Sequence, residues 1–235
     1  KMFDITFEDP ETQEKQWAFQ NSWAITTRSI GVIVMVHGDN KGLVLPPRIA
    51  EYQIVVVPCG ITASLSDADR EKLYDECKAL ATALEAADMR VYVDYRDHYS
   101  PGWKFNHWEL KGVPLRVELG PKDLGKQQCV AVRRVDGQKS TVPLASAPQQ
   151  LSAMLEDIHN TMFNKAKKDL DEHVAVVYTF EDFCAALDKK NVILAPFCGE
   201  PACEDKVKKD SARDAIVEEG APAMGAKGLC IPFNQ

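Results

Sequence analysis

The stretch that most constrains this chain is Ile54-Val55-Val56-Val57, four β-branched residues in a row with no polar alternation. Such a run suits a strand covered on both faces, the environment inside a sheet with parallel neighbours. A helix pattern from about Asp67 to Ala87 follows, opened by Ser66 as N-cap with Asp69 three residues on. An alternating strand, Arg90 to Tyr95, comes next. Strand, helix and strand in this order predict a β-α-β crossover, so a new unit starts near Glu51.

Further elements extend that unit. The Pro-Gly pair at 101–102 marks a turn before a short aromatic helix, and strands are expected near Leu115–Leu119 and Gln128–Arg134, the latter closed by Asp136-Gly137 as a hairpin turn. The sum is a mixed sheet of about five strands. From Ala147 to Glu172, Leu151, Met154, Leu155, Ile158 and Met162 recur at helical spacing. Beyond it, strand Val174–Tyr178, helix Glu181–Lys189 and strand Val192–Phe197 repeat the β-α-β pattern and lead into a cysteine-bearing loop. Upstream, Phe3 to Glu8 alternates like an interior strand and Gln16 to Ile25 reads as a second, aromatic strand. Thr26 is the expected N-cap of an apolar helix, Ile30 to Val36, which Gly38-Asp39-Asn40 ends. Because the first residue is a lysine in mid-pattern, the chain is expected to begin inside a larger fold.

Composition narrows the function classes. With 235 residues, 45% hydrophobic and 27% charged, the chain can bury a core and is neither collagen-like nor wholly disordered. Its longest apolar run, Ile30 to Val36, is far short of a membrane span, and a soluble protein is expected. Seven cysteines at irregular spacing, with no secretory pattern, predict reduced thiols and a cytoplasmic location. The net charge of −7 is unevenly distributed: residues 96–134 carry 8 basic and 4 acidic side chains, whereas residues 1–95 carry 9 and 15. One basic block inside an acidic protein is how a local polyanion site looks.

That block carries the most specific motif. The run from Tyr99 through Trp103-Lys104-Phe105-Asn106-His107-Trp108-Glu109-Leu110-Lys111-Gly112 to Arg116, Glu118 and Gly120-Pro121-Lys122-Asp123 resembles the anticodon-binding domain of prolyl-tRNA synthetases of the eukaryotic and archaeal type. Two more stretches agree in order. Asn21-Ser22-Trp23 through Thr26-Thr27-Arg28 to His37-Gly38-Asp39-Asn40 and Pro46-Pro47-Arg48 is similar to the end of the family's class II catalytic domain, and Pro196-Phe197-Cys198-Gly199-Glu200 with Cys203 to its C-terminal zinc-binding domain. The resemblance implies an α/β and α+β multidomain chain. Residues 1–50 would close the class II antiparallel sheet, 51–150 would form the mixed five-stranded α/β anticodon-binding domain, and 151–235 a small, incomplete C-terminal α/β domain.

The family's activity is proline–tRNA ligation: ATP-dependent formation of prolyl-adenylate, then transfer to proline tRNA, with Mg2+ as cofactor and usually as a homodimer. The resemblance assigns Thr26 and Arg28 to ATP, with Arg28 the expected catalytic residue, and Trp23 to the L-proline pocket. It also assigns Glu109, Arg116, Lys122 and Asp123 to the anticodon, whose last two bases are guanines. The chemistry of the residues agrees: Glu109 can accept from guanine N1–H and N2–H, and Arg116 can pair with O6 and N7. Lys104 and Arg133 are expected on phosphates. Read from composition alone, the same charges can equally form a solvated face with internal salt bridges, and Trp103, Phe105 and Trp108 suit a core better than a base stack. Cys198 and Cys203 would give half of a tetrahedral Zn2+ site. The rival to an enzyme is a non-catalytic, synthetase-like module that grips tRNA without charging it.

Overall fold

The computed structural model describes residues 3–62, 65–212 and 225–232, and the chain divides into two compact units, residues 1–159 and 160–235. In the first, strands β1 (Thr6–Glu8) and β2 (Lys15–Trp17) pair antiparallel, Thr6 opposite Trp17. The Asp9 carboxylate holds their turn by accepting from the amides of Glu11 and Thr12 at 2.9 and 3.1 Å. Both strands are shorter than the sequence pattern suggested. The aromatic run after Trp17 forms no strand, and Phe19, Trp23 and Ile25 all stand exposed.

Helix α1 spans Arg28–His37. Its N-cap is Thr27 rather than Thr26, and no side-chain hydrogen bond caps it; the backbone turn is closed instead by Ser29 N–H donating to the Thr26 carbonyl and Ile30 N–H to that of Thr27. Gly38 ends the helix, its N–H donating to the Val34 carbonyl at 2.9 Å.

Strand β3 (Ile54–Pro58) is buried at every position, as its unbroken β-branched run requires. Helix α2 (Asp67–Ala86) starts at Ser66, whose hydroxyl accepts from Asp69 N–H at 3.1 Å, and turns Leu73, Cys77, Leu80 and Leu84 inward. Strand β4 (Val91–Val93) then lies parallel to β3. Helix α3 (Pro101–Leu110) carries proline in its first turn and is capped by the Ser100 hydroxyl. Strand β5 (Leu115–Leu119), the short helix α4 (Pro121–Leu124), and the hairpin of β6 (Gln128–Arg133) and β7 (Lys139–Pro143) complete the sheet. Its order is β4-β3-β5-β6-β7, with β5 parallel to β3 and antiparallel to β6. A 3₁₀ turn leads into α5 (Ala147–Glu172), the 26-residue helix the periodicity predicts.

Residues 38–45 are tied to the end of α3 by backbone bonds: Leu43 N–H donates to the Leu110 carbonyl at 3.0 Å and Leu45 N–H to that of Gly112 at 3.1 Å. Gly112 is required there twice over. Its φ is +74°, and a Cβ would stand 2.6 Å from the Leu43 carbonyl atoms. Gly112→Ala is therefore expected to cost more than the roughly 1–3 kcal/mol of a left-handed non-glycine residue, because backbone has to move as well; urea denaturation measures it.

In the second unit, β8 (Val174–Val176), α6 (Phe180–Asp188) and β9 (Val192–Leu194) form a parallel β-α-β with Val174 opposite Val192. Thr179 caps α6 by accepting from Asp182 N–H, and Cys184 and Ala186 are buried. Helix α7 (Pro201–Ala212), which follows the cysteine-bearing loop, starts on a proline at its first position. Among the described residues no helix is long and apolar enough to cross a membrane.

Candidate nucleic-acid interface

Alternation along β5 decides which side chains can act. Leu115, Val117 and Leu119 are fully buried, which leaves Arg116 and Glu118 together on the opposite face of the strand. The Arg116 guanidinium is fixed from two sides. It donates through Nε to Glu118 Oε1 at 3.0 Å, and its carbon lies 4.1 Å from the centre of the Phe105 ring on α3. Phe105 and Glu109 are one helical turn apart, so the helix that supports Arg116 also presents Glu109.

Arg116 and Glu109 line one cleft of about 190 Å³. Val55, Trp108 and Val113 contribute apolar surface to it, and Lys41, Arg134 and Lys139 bring further positive charge. Arg134 is 8% exposed and makes a double hydrogen bond to the Asp39 carboxylate at 2.7 and 2.8 Å, while its Nε donates to the Glu109 carbonyl at 2.9 Å. The guanidinium holds the Asp39 carboxyl far below the usual carboxylate range. Lys41 Nζ stands 3.4 Å from Glu109 Oε1. The cleft thus pairs a carboxylate acceptor with a guanidinium donor over an apolar floor, which is what reading the edge of an unpaired base requires.

Trp108 owes its position to a second, buried cluster. Asp94 at the end of β4 is fully buried and accepts from the indole N–H at 2.9 Å and from Arg96 Nε and Nη2 at 2.8 and 2.7 Å. Burial pushes its pKa up, but the bonds from Arg96 and Trp108 outweigh that and hold it at about 2. Arg96 in turn lies over the rings of Tyr99 and Trp103, which stack with centroids 3.8 Å apart.

Two expectations fail here. Lys104 is 4% exposed and donates to the Asp94 carbonyl at 2.9 Å, so it braces the floor of the cleft and is withdrawn from phosphates; it lies four residues before Trp108 on the buried stripe of α3. Arg133 is 9% exposed and reaches Asp157 at 2.6 Å and Asp136 at 3.3 Å, which makes it an internal ion-pair centre. Lys122 is exposed at the start of α4, and the half-buried Asp123 carboxylate accepts from Gly120 N–H at 3.1 Å. Asp123, Glu118 and Arg116 all act on the Cys59 thiol, whose pKa is pushed up to about 11 by burial first and then by Glu118. Glu118, Asp39 and Lys41 were not singled out from the sequence. Only the i, i+2 spacing of Arg116 and Glu118 on an expected strand could have signalled one of them.

Thr26, Arg28 and Trp23 are not among the residues that line this cleft. All three are exposed, Trp23 at 95%, and Arg28 opens α1 with no acidic residue in the first turn. Cys203 lies in the first turn of α7, near enough to Cys198 for the two thiols to act on each other's ionisation. The Glu200 amide and then Cys203 lower the Cys198 pKa, while that of Cys203 is raised by Cys198. Two sulfurs fit half of a tetrahedral thiolate site, but among the described residues no group of three His, Cys, Asp or Glu could hold a metal ion, so the fit is incomplete.

Residues 53–154 match the family model described as an anticodon binding domain, and residues 180–235 that described as prolyl-tRNA synthetase, C-terminal. The chain is 60% identical over all of its length to a bifunctional glutamate/proline–tRNA ligase of Drosophila melanogaster, covering 14% of that protein. It is 45% identical to the cytoplasmic proline–tRNA ligase of Arabidopsis thaliana, again over the whole chain and 42% of the relative. Among solved structures it is similar to prolyl-tRNA synthetase from Cryptosporidium parvum complexed with L-proline and AMP, with a TM-score of 0.84, 38% identity, and coverage of 100% of this chain and 47% of that one. The chain therefore spans less than half the length of these relatives.

Proposed function

Because the chain belongs to the prolyl-tRNA synthetase family, as its C-terminal part, we propose that it supplies the anticodon-reading region and the ATP-contacting end of a proline–tRNA ligase. The observation that carries this reading is the shared cleft of Glu109 and Arg116. Glu109 accepts from the N–H donors of an anticodon guanine, Arg116 donates to an acceptor edge, and Lys122 and Asp123 contribute at the adjoining end of β5. We assign three functional segments, 1–50, 51–150 and 151–235, to catalytic-domain closure, anticodon binding and the C-terminal domain.

The reaction has two steps. The L-proline carboxylate attacks the α-phosphorus of ATP and expels pyrophosphate; the 3′-terminal hydroxyl of proline tRNA then attacks the prolyl carbonyl and AMP leaves. Mg2+, when bound, shields the phosphate charges. Arg28 works by fixed charge: at the start of α1 its guanidinium adds to the positive end of the helix dipole, an arrangement that favours a bound anion such as a nucleotide phosphate. Thr26 belongs to the same nucleotide contact, and Trp23 to the wall of the proline pocket. Zn2+ on Cys198 and Cys203, a homodimer and a cytoplasmic setting complete the proposal.

Proline-dependent exchange of pyrophosphate into ATP by the intact polypeptide tests it. Exchange with wild type, and a loss of about a hundredfold or more with Arg28→Ala, is the expected result. Binding of proline tRNA with no exchange at all would favour a non-catalytic tRNA-gripping module instead.

A further inference from the structure

Building on the anticodon-reading assignment of Glu109, we infer that Lys41 is an additional RNA-contacting residue, contributed to the cleft by the segment just after α1. Its ammonium holds the Glu109 carboxylate until a base takes that carboxylate, and then moves to a backbone phosphate.

Three observations support the exchange. First, the pair is made to part: at 3.4 Å it is longer than the 2.7–2.9 Å of a firm charge-assisted bond, and the Lys41 side chain is 70% exposed. Such a pair is weak in water. Secondly, the base of the side chain is fixed while its tip is not. The Asp39 carboxylate accepts the Lys41 amide at 2.8 Å and is itself clamped by Arg134, so the loop that carries Lys41 is anchored beside the cleft. A fixed Cα with a four-carbon stem lets the ammonium change partner with no backbone movement.

Thirdly, among the cations that line the cleft, Lys41 is set apart by its partner rather than by its charge, since Lys139 is exposed there as well. Arg116, Arg133 and Arg134 are held by Glu118, by Asp136 and Asp157, and by Asp39, carboxylates to which the reading gives no base. Lys41 alone of these cations is paired with the carboxylate that reads the base. When two guanine N–H donors satisfy Glu109, the ammonium is released next to an RNA loop rich in phosphate, so binding keeps every charge partnered.

The test is the salt dependence of binding between the intact synthetase polypeptide and a proline-tRNA anticodon stem-loop, with a second stem-loop whose anticodon guanines are replaced. With the guanine-bearing RNA, Lys41→Met is expected to flatten the slope of log K against log salt by roughly 0.7–0.9, the share of one phosphate; with the substituted RNA, which leaves Lys41 on Glu109, the slope is expected to change little. Lys41→Arg is expected to restore the slope. An unchanged slope with the guanine-bearing RNA would show that Lys41 only props Glu109, and an equal flattening with both RNAs would show a phosphate contact independent of the exchange; either result overturns the inference. Glu109→Gln separates the two levels. If it lowers discrimination between the RNAs while Lys41→Met leaves the slope alone, this inference fails by itself; if it leaves discrimination intact, the reading beneath it fails too.

Discussion

Replacing Asp94 by alanine is expected to cost about 3–5 kcal/mol of stability, the range for removing one partner of a buried ion pair. The carboxylate is fully buried and satisfies the Arg96 guanidinium and the Trp108 indole. Its loss leaves an arginine and an indole N–H without their acceptor, and the Lys104 ammonium loses the neighbouring negative charge. Thermal or urea denaturation reads the change, and a loss below about 1 kcal/mol would refute the assignment. The same group predicts an acid limb. Its pKa is about 2 in the fold, against about 3.9 in an unfolded chain. A depressed carboxylate pKa contributes stability that is complete above the unfolded value and lost as pH falls. The Asp94 share should therefore vanish between about pH 4 and pH 2, and an Asp94→Asn protein should show a flatter decline over that window.

The second large effect concerns recognition. Arg116→Ala is expected to weaken discrimination in favour of the guanine-bearing anticodon by about 1–3 kcal/mol, roughly 5- to 150-fold in the transfer step measured with tRNA. Arg116→Lys should recover little of it, since an ammonium cannot make the paired donation of a planar guanidinium or reproduce its close contact, 4.1 Å from carbon to ring centre, with Phe105. Equal discrimination by wild type and both variants, measured with proline tRNA and a guanine-substituted counterpart, would remove Arg116 from the reading site.

Local patterns carried much of the fold. The β-branched run of β3, the Ser66 cap, the Asp136-Gly137 hairpin and the apolar stripe of α5 each state their structure within a few residues, and all four are present. The region before α1 misled because aromatic residues favour strands only when a partner strand pairs with them, and past Trp17 none does. The site was half legible. Glu109 and Arg116 share a cleft because Phe105 spaces α3 against β5. Lys104 and Arg133 look like surface cations in any linear reading; what withdraws them is a carbonyl and a pair of carboxylates brought near by folding. Lys41 and Glu109, 68 positions apart, meet only because Leu43 and Leu45 dock on the end of α3.

The placement of β5 has one more outcome. A strand bonded on both sides, to β3 and to β6, opens to solvent only when the whole sheet does. Deuterium should therefore enter the Leu115–Leu119 amides among the last in the molecule, so the rail that carries Arg116 and Glu118 keeps its shape through every smaller fluctuation on either side.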